Sequence, residues 1–236
     1  MTRLADWLNK KFFPGDHPYR IFERAVESQL RPRQTLLDAG CGRTAPILSR
    51  FKGKAGRLIG VDLVEFNPGL EGMELHTCDL RAMPLEDQSV DVIMSRSVME
   101  HVTDPAQVYS EAHRVLRPGG RFIFLTANLW DYASLIALAV PNRFHPWIVA
   151  RTEGRAECDV FPVAYRTNTR RAVEKWARHA GFEVATFRYL GQYPAYFMFN
   201  GFLFLLATGY EKLISNVTAL NFLQGWIFVT LRKPCS

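Results

Sequence analysis

The chain has 236 residues, 48% of them hydrophobic, enough to bury a sizeable core in one α/β domain or a core with a smaller elaboration. A formal net charge of +6 would attract anionic partners, but the basic residues are scattered and carry no zinc-finger or aromatic RNP-type signature, which argues against nucleic acid. Cys41, Cys78, Cys158 and Cys235 lie far apart, so the spacing suggests neither a metal knuckle nor a disulfide framework, and a reducing, cytoplasmic setting is the default.

The opening MTRLADWLNKKFFPGD lacks the continuous apolar run and cleavage site of a secretion signal. Leu4, Trp7, Leu8 and Phe12 fall at helical spacing, with Arg3, Lys10 and Lys11 on the polar side. That pattern serves a helix packed on its own domain, or one docked on a membrane or a partner. A second helical periodicity covers Tyr19 to Leu30 and ends near Pro32, completing a helical cap over 1–32.

Strands and helices then alternate. Strands are expected at Thr35–Asp38, Leu58–Asp62, Glu74–Cys78, Val90–Ser95 and Arg121–Thr126, with helices opening at Pro46–Phe51 and spanning Pro105–Leu116. The LRPGG run is expected to stop the second of these helices. Such alternation implies parallel pairing with right-handed crossovers, hence a doubly wound α/β sheet of Rossmann type with helices on both faces.

Residues 33–128 form this core, and 129–166 read as an aromatic-rich, lid-like insertion too long for an ordinary connection. The C-terminal part, 167–236, holds a helix at Thr169–Ala180, a strand at Phe182–Tyr189 and a final strand at Trp226–Arg232. The whole reads as a single domain. AYFMFNGFLFLLATG, 195–209, is the most apolar stretch but falls short of the roughly 20 residues that span a bilayer. It suits first a helix covering the sheet or a homodimer face, and second an apolar wall for a greasy substrate or a peripheral membrane contact.

The chemistry centres on LLDAGCGRTAP, 36–46. Gly40-x-Gly42-x-x-Ala45 followed by Asp62 fits a dinucleotide fingerprint, so an NAD-type oxidoreductase is the competing enzyme class, and a non-catalytic binding protein the third reading. Charge separates them. Asp38 stands at the end of the first strand, Asp62 after the second, Asp79 after the third and Glu100 beyond the fourth. A crevice lined with carboxylates repels a pyrophosphate and attracts an ammonium or a sulfonium.

LLDAGCGRTAP, GVDL (60–63), CDLRAMPLEDQSVDVIMS (78–95), MEHVTDP (99–105) and LRPGGRFIF (116–124) together make the chain resemble a class I S-adenosylmethionine-dependent methyltransferase of the small-molecule type. The resemblance implies a seven-stranded, mostly parallel sheet with an antiparallel last strand, and S-adenosyl-L-methionine as cofactor. It implies that Gly40, Cys41 and Gly42 let the methionine portion approach, that Asp38 holds its ammonium, and that Asp62 takes the ribose diol while Leu63 packs on the base. Asp79 would accept from the adenine amino group, Leu80 would offer its amide, and Ser95 and Arg96 would lie along the methionine side.

His101, at the mouth of the crevice, is the candidate catalytic base, with Glu100 orienting the cofactor or the histidine. Metal-using relatives in quinone pathways place another acid three residues before that Glu; Ser97 stands there, so no metal is expected. Tyr19, His145, Arg151, Tyr165 and Arg166 are candidates to touch the substrate. The implied acceptor is a partly apolar or aromatic small molecule, methylated at oxygen in preference to carbon.

Overall fold

The computed structural model describes residues 3–15, 17–139 and 162–235, and these gather into two compact units. His145, Arg151 and Cys158, with most of the expected insertion, lie outside the described residues.

The larger unit comprises 19–126, 164–188 and 228–236 and is built on the sheet. Among the described residues seven strands join in the order β3-β2-β1-β4-β5-β7-β6: β1 Thr35–Ala39, β2 Arg57–Asp62, β3 Glu74–Thr77, β4 Val90–Arg96, β5 Leu116–Ala127, β6 Glu183–Leu190 and β7 Trp226–Arg232. β1 pairs in parallel with both β2 and β4, β2 with β3, and β4 with β5. β7 enters antiparallel to β5: Gly119 and Gly120, near the start of β5, exchange backbone hydrogen bonds with Lys233, just past the end of β7. The order reverses between β1 and β4, and in an open α/β sheet the crevice at that reversal, outside the strand carboxyl ends, is where ligands bind.

All five residues of β1 are buried, as are four successive positions in β2 and in β4, the continuous apolar signature of strands covered on both faces. Three helices belong to this unit: α2 Pro18–Gln29, α3 Pro105–Val115 and α5 Arg170–His179. The first residue of α2, Pro18, falls at its boundary. Asp104 caps α3 by accepting from the Gln107 amide, and Pro105 occupies the first turn, where its missing N–H costs nothing. Thr169 caps α5 by accepting from Ala172.

Two expectations of local structure are corrected. Pro46–Phe51 does not open an α-helix; only a 3-10 turn forms at Leu48–Phe51. Ala45 is held at φ 42° before it, and Gly53 at φ 77° ends the run, which leaves too few residues to nucleate an α-helix. The LRPGG run does stop α3 at Val115, but it continues as the start of β5, with a register irregularity against Val90–Val92. Gly120 is required in that irregularity, since a Cβ there would lie 2.8 Å from the Arg117 carbonyl oxygen and 2.9 Å from that of Asp91.

The smaller unit comprises 1–18, 127–163 and 189–227. It holds α1 Arg3–Phe12, α4 Tyr132–Ala139 and α6 Gly201–Asn216, the last capped by Asn200, whose side chain accepts from the Phe202 and Leu203 amides. The apolar stretch 195–209 therefore becomes a 3-10 turn at Ala195–Phe197 and the first half of α6. Ala5 and Leu8 of α1 bury against Phe204 of α6, with Phe12, Phe13, Phe197 and Met198 packed around them.

Candidate active site

The site is assembled within the larger unit from the carboxyl ends of β1, β2 and β4. Gly40 and Gly42, which follow β1, both take left-handed backbone conformations, φ 85° and 74°. They need glycine for different reasons. A Cβ on Gly40 would lie 2.3 Å from Cγ2 of Val98, in the loop after β4, whereas nothing lies within 4 Å of a Cβ on Gly42. The first glycine thus lets two loops approach, and the second leaves open space beside the loop backbone.

Asp38 is 1% exposed, and its Oδ2 has no hydrogen-bond partner among the described residues. Burial raises its pKa to about 7; Arg96 works against that rise and Asp62 adds to it. An orphaned, buried carboxylate oxygen is costly. A cation delivered to this position would recover that cost, so the residues present fit the aminoacyl end of S-adenosylmethionine.

Asp62 closes the loop from the other side. Its Oδ2 accepts from the Gly42 amide at 2.7 Å and its Oδ1 from the Val64 amide at 3.2 Å. Leu63 beside it is 59% exposed, an apolar surface left open at the end of β2. Cys41 is buried; burial first, then the nearby Asp38 and Asp62, push its thiol pKa up, so it fills space rather than reacts.

Asp79 and Leu80 follow β3 and are half-buried. The Asp79 carboxylate already accepts from Arg81 at 2.7 and 3.0 Å through the guanidinium and at 2.9 Å through the amide, which holds its pKa below the usual carboxylate range. Ser95 is fully buried, and its hydroxyl donates to the Ala39 carbonyl at 2.8 Å, tying β4 to the end of β1.

Arg96 is positioned from α2. Its guanidinium lies 4.1 Å from the centre of the Tyr19 ring and 3.3 Å from Glu23, which also pairs with Arg50 at 2.7 Å. Tyr19, expected among substrate contacts, is here the platform for Arg96. Glu23 escaped the sequence reading because its role depends on a contact 73 residues along the chain. Ser97, which enters the sequence reading through a metal pattern, sits at φ 57° with a buried hydroxyl that has no partner among the described residues, a strained turn that redirects the chain after β4.

That turn leads to Glu100 and His101. Glu100 is 7% exposed and accepts from the Thr126 hydroxyl at 2.7 Å, while Asn168 donates to the same hydroxyl at 2.8 Å. The Glu100 carbonyl accepts from the amides of Ala164 and Tyr165, and Arg166 donates to the Thr103 carbonyl at 2.8 Å. Tyr165 and Arg166, distant in sequence, are thereby fastened beside the half-buried His101, whose own amide donates to the Val98 carbonyl.

Residues 37–124 match the family model described as a methyltransferase domain. Over 100 residues the chain is 39% identical to a probable S-adenosylmethionine-dependent methyltransferase of Mycolicibacterium smegmatis, covering 39% of this chain and 38% of that protein. Over 135 residues it is 33% identical to a ubiquinone biosynthesis O-methyltransferase of Hydrogenovibrio crunogenus, covering 52% and 54%. The chain thus spans about two fifths and about half of these two relatives' length. Its fold is similar to that of geranyl diphosphate C-methyltransferase from Streptomyces coelicolor, with a TM-score of 0.57, 18% identity, and coverage of 91% of this chain and 75% of that one. Sheet order, glycine-loop geometry and matched segment agree: over 37–124 the chain is similar to the S-adenosylmethionine-dependent methyltransferases.

Proposed function

We propose that the chain transfers a methyl group from S-adenosyl-L-methionine to an oxygen, or less favourably a carbon, of a partly apolar small molecule or lipid-like metabolite by direct in-line displacement. The observation that carries the cofactor assignment is Asp38, buried with an unpartnered oxygen beside a glycine loop. The cofactor supplies an electrophilic methyl group on a sulfonium. Asp38 would hold its ammonium, the Gly40–Gly42 backbone would let its methionine portion approach, and Asp62 would bind its ribose hydroxyls. Leu63 would cover one face of its base, with Asp79 and Leu80 at the base edge. Ser95, whose hydroxyl holds the end of β1, and Arg96, held by Tyr19 and Glu23, would lie along the methionine portion.

In-line displacement asks the protein for alignment, exclusion of water and, for a hydroxyl acceptor, removal of a proton. His101 would accept that proton, and Glu100, held by the Thr126 hydroxyl, would steady the turn that carries it. The apolar acceptor is supported by the names of a matched relative and a fold neighbour, ubiquinone biosynthesis and geranyl diphosphate.

Thermal unfolding with S-adenosylhomocysteine and with NADH tests the cofactor; stabilisation by NADH alone would refute it. Methyl-labelled cofactor offered with a prenylated catechol or with geranyl diphosphate tests the acceptor, since an oxygen-bound methyl differs from a carbon-bound one in carbon-13 shift. A carbon-bound product would reverse the preference for oxygen.

A further inference from the structure

We propose that the outer face of the α1–α6 pair in the smaller unit docks on an anionic lipid surface, lying in the headgroup region rather than crossing the bilayer. The proposal is independent of which molecule accepts the methyl group.

The two helices form a fixed platform. Gly201, at the start of α6, lies against Leu4 so closely that a Cβ there would be 2.8 Å from Leu4 Cδ2. Beneath that contact Ala5, Leu8 and Phe204 are buried. The platform nonetheless leaves much apolar surface outside: Leu4 and Trp7 are 50% and 54% exposed, Phe199 and Phe202 68% and 67%, and Leu206 and Leu213 57% and 54%. Phe202, Leu206 and Leu213 recur at helical spacing, so α6 has a buried stripe and a second apolar stripe that stays exposed among the described residues. An apolar face of this kind, rimmed by polar residues, marks an interaction site.

Charge selects the occupant. Arg3, Lys10 and Lys11 are exposed and lie one turn either side of Trp7, and the Lys11 ammonium sits 4.6 Å from the Trp7 ring. α1 carries one acid, Asp6. On α6, the half-buried Lys212 lies over the Phe13 ring at 4.9 Å, while Glu211 is buried. A second copy seated on this face would bring the cations of each α1 against those of the other. An anionic bilayer interface takes both features at once, accepting apolar side chains at the acyl boundary and holding Trp and Lys at headgroup depth. No described helix is long and apolar enough to cross a membrane, which is why the pair would lie flat.

The test is sedimentation of the full chain with vesicles of phosphatidylcholine alone and of equal parts phosphatidylcholine and phosphatidylglycerol. The expected result is pelleting with the anionic vesicles, weakened by raised salt, and little with the neutral ones. Lys10→Ser and Lys11→Ser should each weaken binding about fivefold, and Trp7→Ala with Leu206→Ser should abolish it. S-adenosylhomocysteine must still raise the melting temperature of every variant, which shows that each has folded. A chain that stays in solution with both vesicles overturns the proposal. So does equal binding to neutral and anionic vesicles, or a dimer in sedimentation equilibrium that the Trp7→Ala, Leu206→Ser variant dissolves while vesicle binding is nil.

Discussion

The Gly42 amide donates to the Asp62 carboxylate at 2.7 Å, joining the glycine loop after β1 to the end of β2. Asp62 is therefore an organiser of the loop as well as the candidate ribose ligand. Asp62→Ala should weaken S-adenosylhomocysteine binding by about 1 to 3 kcal/mol, the scale of a lost hydrogen bond to a charged group. Asp62→Asn, which can still accept from one amide, should lose less. Calorimetry that finds both variants at wild-type affinity would dismiss the assignment.

The two glycines predict different penalties. Gly42→Ala meets only backbone strain, roughly 1 to 2 kcal/mol for a left-handed alanine. Gly40→Ala adds the collision with Val98 and should destabilise more. Val98→Ala should recover part of the Gly40→Ala loss and none of the Gly42→Ala loss, as measured by urea unfolding; equal recovery in both backgrounds would contradict the contact.

Asp38 sets a pH dependence of binding. With its pKa raised to about 7, it is largely protonated in mild acid and ionised in mild base. A ligand ammonium requires the ionised form, so S-adenosylhomocysteine affinity should rise about tenfold from one pH unit below that pKa to one above. Asp38→Asn should bind weakly with a flat profile. A wild-type profile that is flat across the same interval would refute the ammonium contact.

Glu211, in the smaller unit, sets a pH dependence of stability. It is 1% exposed, neither carboxylate oxygen has a partner among the described residues, and burial, then the charge of Asp131, raises its pKa to about 8; Tyr132 and Tyr210 lie in the same cluster. Because the folded pKa lies above the unfolded value of 4.5, the folded state holds the proton more tightly. This contribution is complete in acid and is lost as pH climbs towards 8. Glu211→Gln keeps a neutral side chain at every pH, so its melting temperature should exceed that of the wild type in alkaline buffer and converge with it in acid. An alkaline melting temperature equal to the wild type would remove Glu211 as the cause.

His101→Ala should lower kcat while leaving the Kd for S-adenosylhomocysteine within about twofold, if the imidazole takes the acceptor's proton. An unchanged kcat would reduce His101 to a loop residue.

Much of this was legible in the sequence. The parallel core could be read because strands buried on both faces are continuously apolar, as in VDVIMS, and because Pro105 and the LRPGG run bracket α3. Asp38, Gly40, Gly42 and Asp62 could be read because each falls at the end of a strand. What escaped was non-local: Glu23 and Tyr19 reach Arg96 from α2, and Asn168 and Glu100 converge on Thr126. Spacing along a chain does not report which distant loops meet.

By itself the sequence determined the fold class and the sign of the crevice, since hydrophobic periodicity and carboxylates at strand ends are local properties of the chain. Only the tertiary structure decided what those residues are committed to. Asp79 is engaged by Arg81, Ser95 by Ala39 and Glu100 by Thr126, whereas Asp38 retains a buried, unpartnered oxygen. The physical reason is desolvation: a carboxylate in water has partners everywhere, and packing alone decides which one is left without any.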